Sequence, residues 1–160
     1  MDMLVPLYRL AEVKNRVTRM ADLGITIRRA MPYEREQIVD WVRQIFETEG
    51  PGWASECGIA LTTVPAKCHI ATLDGQLLGF ACFDATARGV FGPTGCDPAH
   101  RGQGIGAALL QASLAAMREA GYAYAVIGGA GEHVREFYQK VAAAVEIEGS
   151  EPGFYRDRLS

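Results

Sequence analysis

No stretch of the sequence approaches the roughly 18 consecutive apolar residues that a membrane-spanning helix requires. The opening residues, MDMLVPLYRLAEVKNRVTRM, hold no uninterrupted apolar run of the kind found in a secretory leader. Their acidic residues are also out of place in a transit peptide. Cysteine is sparse: Cys57, Cys68, Cys82 and Cys96 form no CxxC pair, and His69, His100 and His133 are isolated. That spacing predicts no metal and no disulfide framework, but free, buried, apolar thiols in a reducing, cytoplasmic setting. Positive charge is not in excess either, with 16 Lys and Arg against 19 Asp and Glu and a net charge of −3. The balance argues against nucleic acid or an anionic membrane as the main partner.

What is present suits one globular domain. The 160 residues are 49% apolar and 22% charged, and a chain of this length buries roughly two-thirds of its unfolded surface without staples. Leu10, Val13, Val17 and Met20 recur at spacings of three and four, which predicts an amphipathic helix over 7–22 ending near Gly24. Residues 1–24 are thus expected to form a helical extension, lying on the domain of 25–160 or against a second copy in a homodimer.

Within 25–160 the pattern alternates in kind. ITIRRA (25–30) reads as a half-exposed strand, and Ile38, Val42, Ile45 and Phe46 mark one face of a helix over 33–47. GPG (50–52) interrupts it, and a shorter helix is expected within 53–63. CHIATL (68–73) and QLLGFACFDA (76–85) read as strands joined at Asp74-Gly75, a tight hairpin turn. A strand over 89–96 is rich in Gly and Pro, which predicts a bulge or a close backbone approach by a ligand. A helix (104–120), a strand (122–127), a helix (132–143) and two strands near 144–148 and 153–159 complete the chain. Hairpins precede the helical crossover, so the expected fold is α/β (α+β), with a mixed, mostly antiparallel central sheet and helices on both faces.

RGQGIG (101–106) opens the long helix. Gly102, Gly104 and Gly106 carry no Cβ, so backbone N–H groups and the positive helix end can meet a phosphate, with Arg101 adding charge. The same glycines also suit a plain strand-to-helix turn. A P-loop does not fit, because Gly106 is followed by Ala107-Ala108 and not Lys-Ser/Thr. A GxGxxG fingerprint fails at Ala107 and lacks its first βαβ unit.

Arg101-Gly102-Gln103-Gly104-Ile105-Gly106 resembles the (Arg/Gln)-x-x-Gly-x-(Gly/Ala) pyrophosphate loop of GCN5-related N-acetyltransferases (GNAT). Cys96-Asp97-Pro98 resembles that family's strand exit, and Phe137-Tyr138-Gln139-Lys140 its Phe/Leu-Tyr-x-Lys segment. The resemblance spans about residues 25–159. It implies an N-acetyltransferase that takes acetyl-CoA as co-substrate, uses no metal, and acetylates a primary amine of a small molecule or peptide. It also implies that Thr94, Gly95 and Cys96 meet the pantetheine arm, that residues 101–106 hold the pyrophosphate, and that Tyr138 protonates the leaving thiolate. A phenol and a thiol have comparable acidities, pKa about 10 and about 8.5. Helical spacing alone favours Tyr138 as a core aromatic beside Phe137.

Many relatives carry a glutamate on the strand before the loop, and GVFGPTG (89–95) has no acid. An alkylamine of pKa about 10 is only about one part in a thousand neutral at pH 7, so a base or a depressed substrate pKa is needed, and water relayed to a more distant acid is the natural substitute. Glu56 is the first candidate base and Asp84 a second acceptor-side carboxylate; each also fits a solvated surface. Trp53 and Phe91 suit the wall of a cationic acceptor pocket or the core. The missing acid also leaves room for a non-catalytic acyl-CoA sensor on the same fold.

Overall fold

The computed structural model describes residues 1–10 and 14–159. The chain runs β1 (Met3–Pro6), α1 (Lys14–Asp22), β2 (Thr26–Arg29), α2 (Arg35–Ile45), α3 (Trp53–Ala60), β3 (Cys68–Leu73), β4 (Gln76–Phe83), β5 (Val90–Cys96), α4 (Ile105–Glu119), β6 (Tyr124–Ile127), α5 (Glu132–Ala142) and β7 (Val145–Glu146). The strands form one sheet in the order β2-β3-β4-β5-β6-β1-β7. Every neighbouring pair is antiparallel except β5 and β6. No described helix is long and apolar enough to cross a membrane.

Side-chain alternation sorts the core into two faces. In β4, Leu78, Ala81 and Phe83 join Ile105, Leu109, Leu114 and Met117 of α4, with Met20 of α1 and Tyr138 of α5. Phe80 and Cys82 point the other way, into a second core with Ile38 and Val42 of α2 and Ala54 and Cys57 of α3. Helices therefore cover both faces, as expected. Asp74 and Gly75 both take positive φ between β3 and β4, which is what makes that hairpin tight.

The N-terminus departs from the reading of a helical extension. Residues 3–6 are a strand and 7–9 a 3-10 turn, and the described helix is Lys14–Asp22; residues 11–13, Val13 among them, lie outside the described residues. Met3 and Val5 are fully buried because β1 is an inner strand, flanked by β6 and β7. With β1 occupying the slot beside β6, the strand expected at 153–159 does not form, and 151–157 runs as turns. Asp2 ties those turns down through its Oδ1, which accepts from the Gly129 and Phe154 N–H groups at 2.7 and 2.9 Å.

Candidate active site

The parallel pair β5 and β6 is joined only at Val90↔Val126 and Phe91↔Ile127. Beyond Phe91, β5 continues along β4 alone, while the chain after Ile127 turns away through Gly128 and Gly129 to α5. A bulge marks the parting: Ala81 pairs with Thr94 and Phe83 with Phe91, so Cys82 faces both Gly92 and Pro93. The Asp97 N–H donates to the Leu78 carbonyl at 2.8 Å, which makes Cys96↔Gly79 a non-hydrogen-bonded pair and Gly95↔Phe80 a hydrogen-bonded one. Thr94 and Cys96 accordingly turn their backbone groups away from β4, toward the gap. Gly95 does not: its backbone groups face Phe80, and a Cβ there would lie 2.5 Å from the Phe46 ring. Of the three residues expected to meet an extended ligand, two present a free backbone edge.

The glycine loop stands at the end of this gap. Gly102 (φ +83°) and Gly104 (φ +89°) use left-handed backbone, and a Cβ at Gly102 would meet nothing within 4 Å. The turn of α4 closes with Ala108 N–H donating to the Gly104 carbonyl at 3.1 Å, which leaves the N–H groups of Ile105, Gly106 and Ala107 without a partner inside the helix. The Ile105 side chain is buried in the core, so only its backbone can serve. Arg101 and Gln103 are exposed. Arg101 lies 3.5 Å from Glu49, an exposed pair that holds it only weakly. Open space, unpaired donors and an exposed guanidinium suit a pyrophosphate.

Tyr138 sits on the inward face of α5, 8% exposed, with its ring edge-on to Phe91 at 6.5 Å. It therefore lies against the last residue at which β5 and β6 remain joined. Burial pushes its hydroxyl up to about 12. Phe91 itself is 2% exposed and packs as core, not as a pocket wall.

On the other face, Glu56 Oε1 accepts from Thr86 Oγ1 at 2.5 Å and from Tyr155 Oη at 3.2 Å. Tyr155 lies over Gly128 and Gly129, within 3.3 Å of where a Cβ would sit on each, so this cluster borders the gap. Glu56 is thus half-buried and organised, not a freely solvated carboxylate. Thr86 and Tyr155 were not legible as partners, because they come from a turn and from the C-terminal segment.

Asp84 is placed differently. Its carboxylate takes the Gly89 N–H at 2.8 Å, Tyr122 Oη at 2.9 Å and Lys67 Nζ at 3.1 Å. With its side chain 5% exposed, it holds the β4–β5 connection and has little left for a substrate. Trp53 packs in an aromatic group with Phe46 at 5.2 Å and Phe80 at 6.2 Å, which accounts for it structurally.

The parting parallel strands, the bulge and the glycine loop leading into α4 define an acetyltransferase-type fold. Over residues 34–143 the sequence matches the Acetyltransferase (GNAT) family, and the chain belongs to that family. Among curated proteins nothing matches significantly. A GNAT acetyltransferase from Brucella melitensis, solved in complex with acetyl-CoA, is 26% identical, with TM-score 0.50, over 71% of this chain and 80% of its own. An aminoglycoside acetyltransferase from an uncultured soil sample, solved with sisomicin, is 15% identical, with TM-score 0.58, over 79% of this chain and 93% of its own. A GCN5-related glucosamine N-acetyltransferase region of a fungal multi-domain β-N-acetylglucosaminidase is 14% identical, with TM-score 0.69, over 88% of this chain. This chain spans only 19% of that fungal protein's length.

Proposed function

We propose that this protein transfers an acetyl group from acetyl-CoA to a primary amine. The observation that carries the reading is the opening of the sheet between β5 and β6, lined by the free edge of Thr94 and Cys96, and ending at the unpaired N–H groups of the 101–106 loop. A narrow slot with a strand edge on one wall suits the extended pantetheine arm, and the start of α4 suits its pyrophosphate. Bound there, acetyl-CoA supplies an activated thioester carbonyl.

The chain's own groups then have separable tasks. The Glu56 carboxylate, which among the described residues is engaged through Oε1 by Thr86 and Tyr155, attracts a cationic amine and takes its proton through water, so that the neutral nitrogen attacks. As the new C–N bond forms and the C–S bond breaks, negative charge gathers on sulfur. The Tyr138 ring packs on Phe91, where β5 and β6 part, and its hydroxyl stays protonated across the physiological range. Its pKa of about 12 lies above that of a free thiol, about 8.5. Tyr138 therefore acts as a hydrogen-bond donor to the departing sulfur more than as a full proton donor, and solvent completes the protonation.

The test is release of free CoA thiol from acetyl-CoA upon addition of amines, including an aminosugar, an aminoglycoside, a polyamine and a peptide N-terminus. Amine-dependent release that falls in Glu56→Gln supports the reading. Tight acetyl-CoA binding without turnover of any amine would instead favour an acyl-CoA sensor, a reading that the absence of an acid along β5 keeps open.

A further inference from the structure

We propose that Cys57, Cys68 and Cys82 form a binding site for a trivalent thiophilic metalloid, arsenous acid being the simplest form, held as a neutral tris-thiolate between α3 and the β3–β4 hairpin. The site is independent of the acetyl-CoA reading. Sequence spacing pointed away from any metal, since the three residues are 11 and 14 positions apart, yet folding gathers their sulfurs within 4.8 Å of one another.

The placement follows from the sheet. Cys68 and Cys82 are direct cross-strand partners. The Phe83 N–H donates to the Lys67 carbonyl at 3.0 Å, which makes theirs a non-hydrogen-bonded pair, the kind with Cα atoms about 4.5 Å apart and the closest side chains. Both point to the face that α3 covers, and α3 sets Cys57 onto them. All three residues are fully buried. Three thiolates at about 2.3 Å on a trigonal-pyramidal centre with angles of about 100° are separated by roughly 3.5 Å, so side-chain adjustment closes the three sulfurs on a single atom.

The ligand class follows from coordination number and charge. Among the described residues no histidine, carboxylate or further cysteine completes the group, whereas structural zinc takes four ligands. Three thiolates on a monovalent or divalent ion leave net negative charge in an apolar core, which is costly without a partner. The acidities of these thiols are set by one another and by burial, with no cation contributing. A trivalent centre balances three thiolates to zero. Three oxygen–arsenic bonds break and three sulfur–arsenic bonds form; the three thiol protons leave with the three hydroxyls as water. Arsenic stays trivalent, so no oxidant is needed. Access requires local opening of α3, an eight-residue helix between turns.

The test uses the full chain kept reduced with a phosphine and titrated with sodium arsenite. Native mass spectrometry should show one arsenic per chain with loss of three protons, X-ray absorption three sulfur neighbours, and the melting temperature should rise. Cys96→Ser should bind as wild type, while Cys57→Ala, a substitution suited to a helix, should weaken binding by at least about tenfold. Zinc should compete poorly. The proposal is overturned by no adduct on the folded chain, by two-sulfur coordination in the wild type, by loss of binding in Cys96→Ser, or by tighter binding of zinc than of arsenite. The wild-type coordination number decides even if the Cys57 variant fails to fold.

Discussion

Tyr138 shows how burial alters the role of a single side chain. Its aromatic body packs against Phe91 while its hydroxyl is raised to about 12, so under the proposed function one residue would serve both core and chemistry. Tyr138→Phe keeps the packing and removes the donor. We expect kcat to fall by roughly 10- to 100-fold, with the KM for acetyl-CoA little changed, as steady-state kinetics will report. His69 makes a second residue-level case. It is buried, with Nδ1 3.2 Å from Ser113 Oγ, and burial followed by the nearby Arg29 charge lowers its pKa from 6.5 to about 4. Between those values the unfolded chain binds a proton that the folded chain does not. Stability is therefore fully present above about pH 6.5 and declines as pH falls toward 4, by on the order of 3 kcal/mol. Denaturant melts of His69→Gln across this window should show a shallower decline; an unchanged slope would assign it to other groups.

At the level of elements, local pattern and tertiary pairing can be told apart. Helices α2, α4 and α5 and the β3–β4 hairpin were legible, because apolar period and turn chemistry act over neighbouring residues. The glycine loop was legible for the same reason. β1 was not, since four residues carry too little alternation to outweigh the helical spacing that follows; only pairing with β6 and β7 makes Met3–Pro6 a strand. The partners of Glu56 were hidden likewise, because Thr86 and Tyr155 are 30 and 99 positions away. Gly95 illustrates a contact that pattern alone misjudges. It looked like a ligand-facing glycine, yet its missing Cβ makes room for Phe46. Gly95→Val should cost about 1–3 kcal/mol by overpacking, visible as a lower melting temperature.

For the molecule as a whole, the sheet is closed by its first segment and not by its last. Residues 3–6 bridge β6 and β7, and Asp2 anchors the turns that carry Tyr155 to the edge of the gap. A dispensable helical extension would allow removal of residues 1–6 without loss. We predict instead that this deletion abolishes cooperative thermal unfolding, since it takes the fully buried Met3 and Val5 from the core, unpairs β7 and leaves β6 held by β5 alone. The two faces of the sheet would also divide the proposed chemistry: α4 and α5 carry the loop and Tyr138, while α3 on the opposite face carries Glu56. Acyl donor and amine would then approach from opposite sides of one opening.

The most direct test of that arrangement is a calorimetric titration of acetyl-CoA into the wild type and into Gly106→Glu. Gly106 lies in the first turn of α4 with no left-handed φ, and the nearest atom to an added Cβ is Phe137 Cζ at 3.9 Å. A glutamate there favours the helix but sets negative charge among the phosphate-facing N–H groups. Saturable one-to-one binding by the wild type, lost in a variant that melts at least as high, is the predicted result. Equal binding by both proteins, or none by a cooperatively folded wild type, would contradict the site.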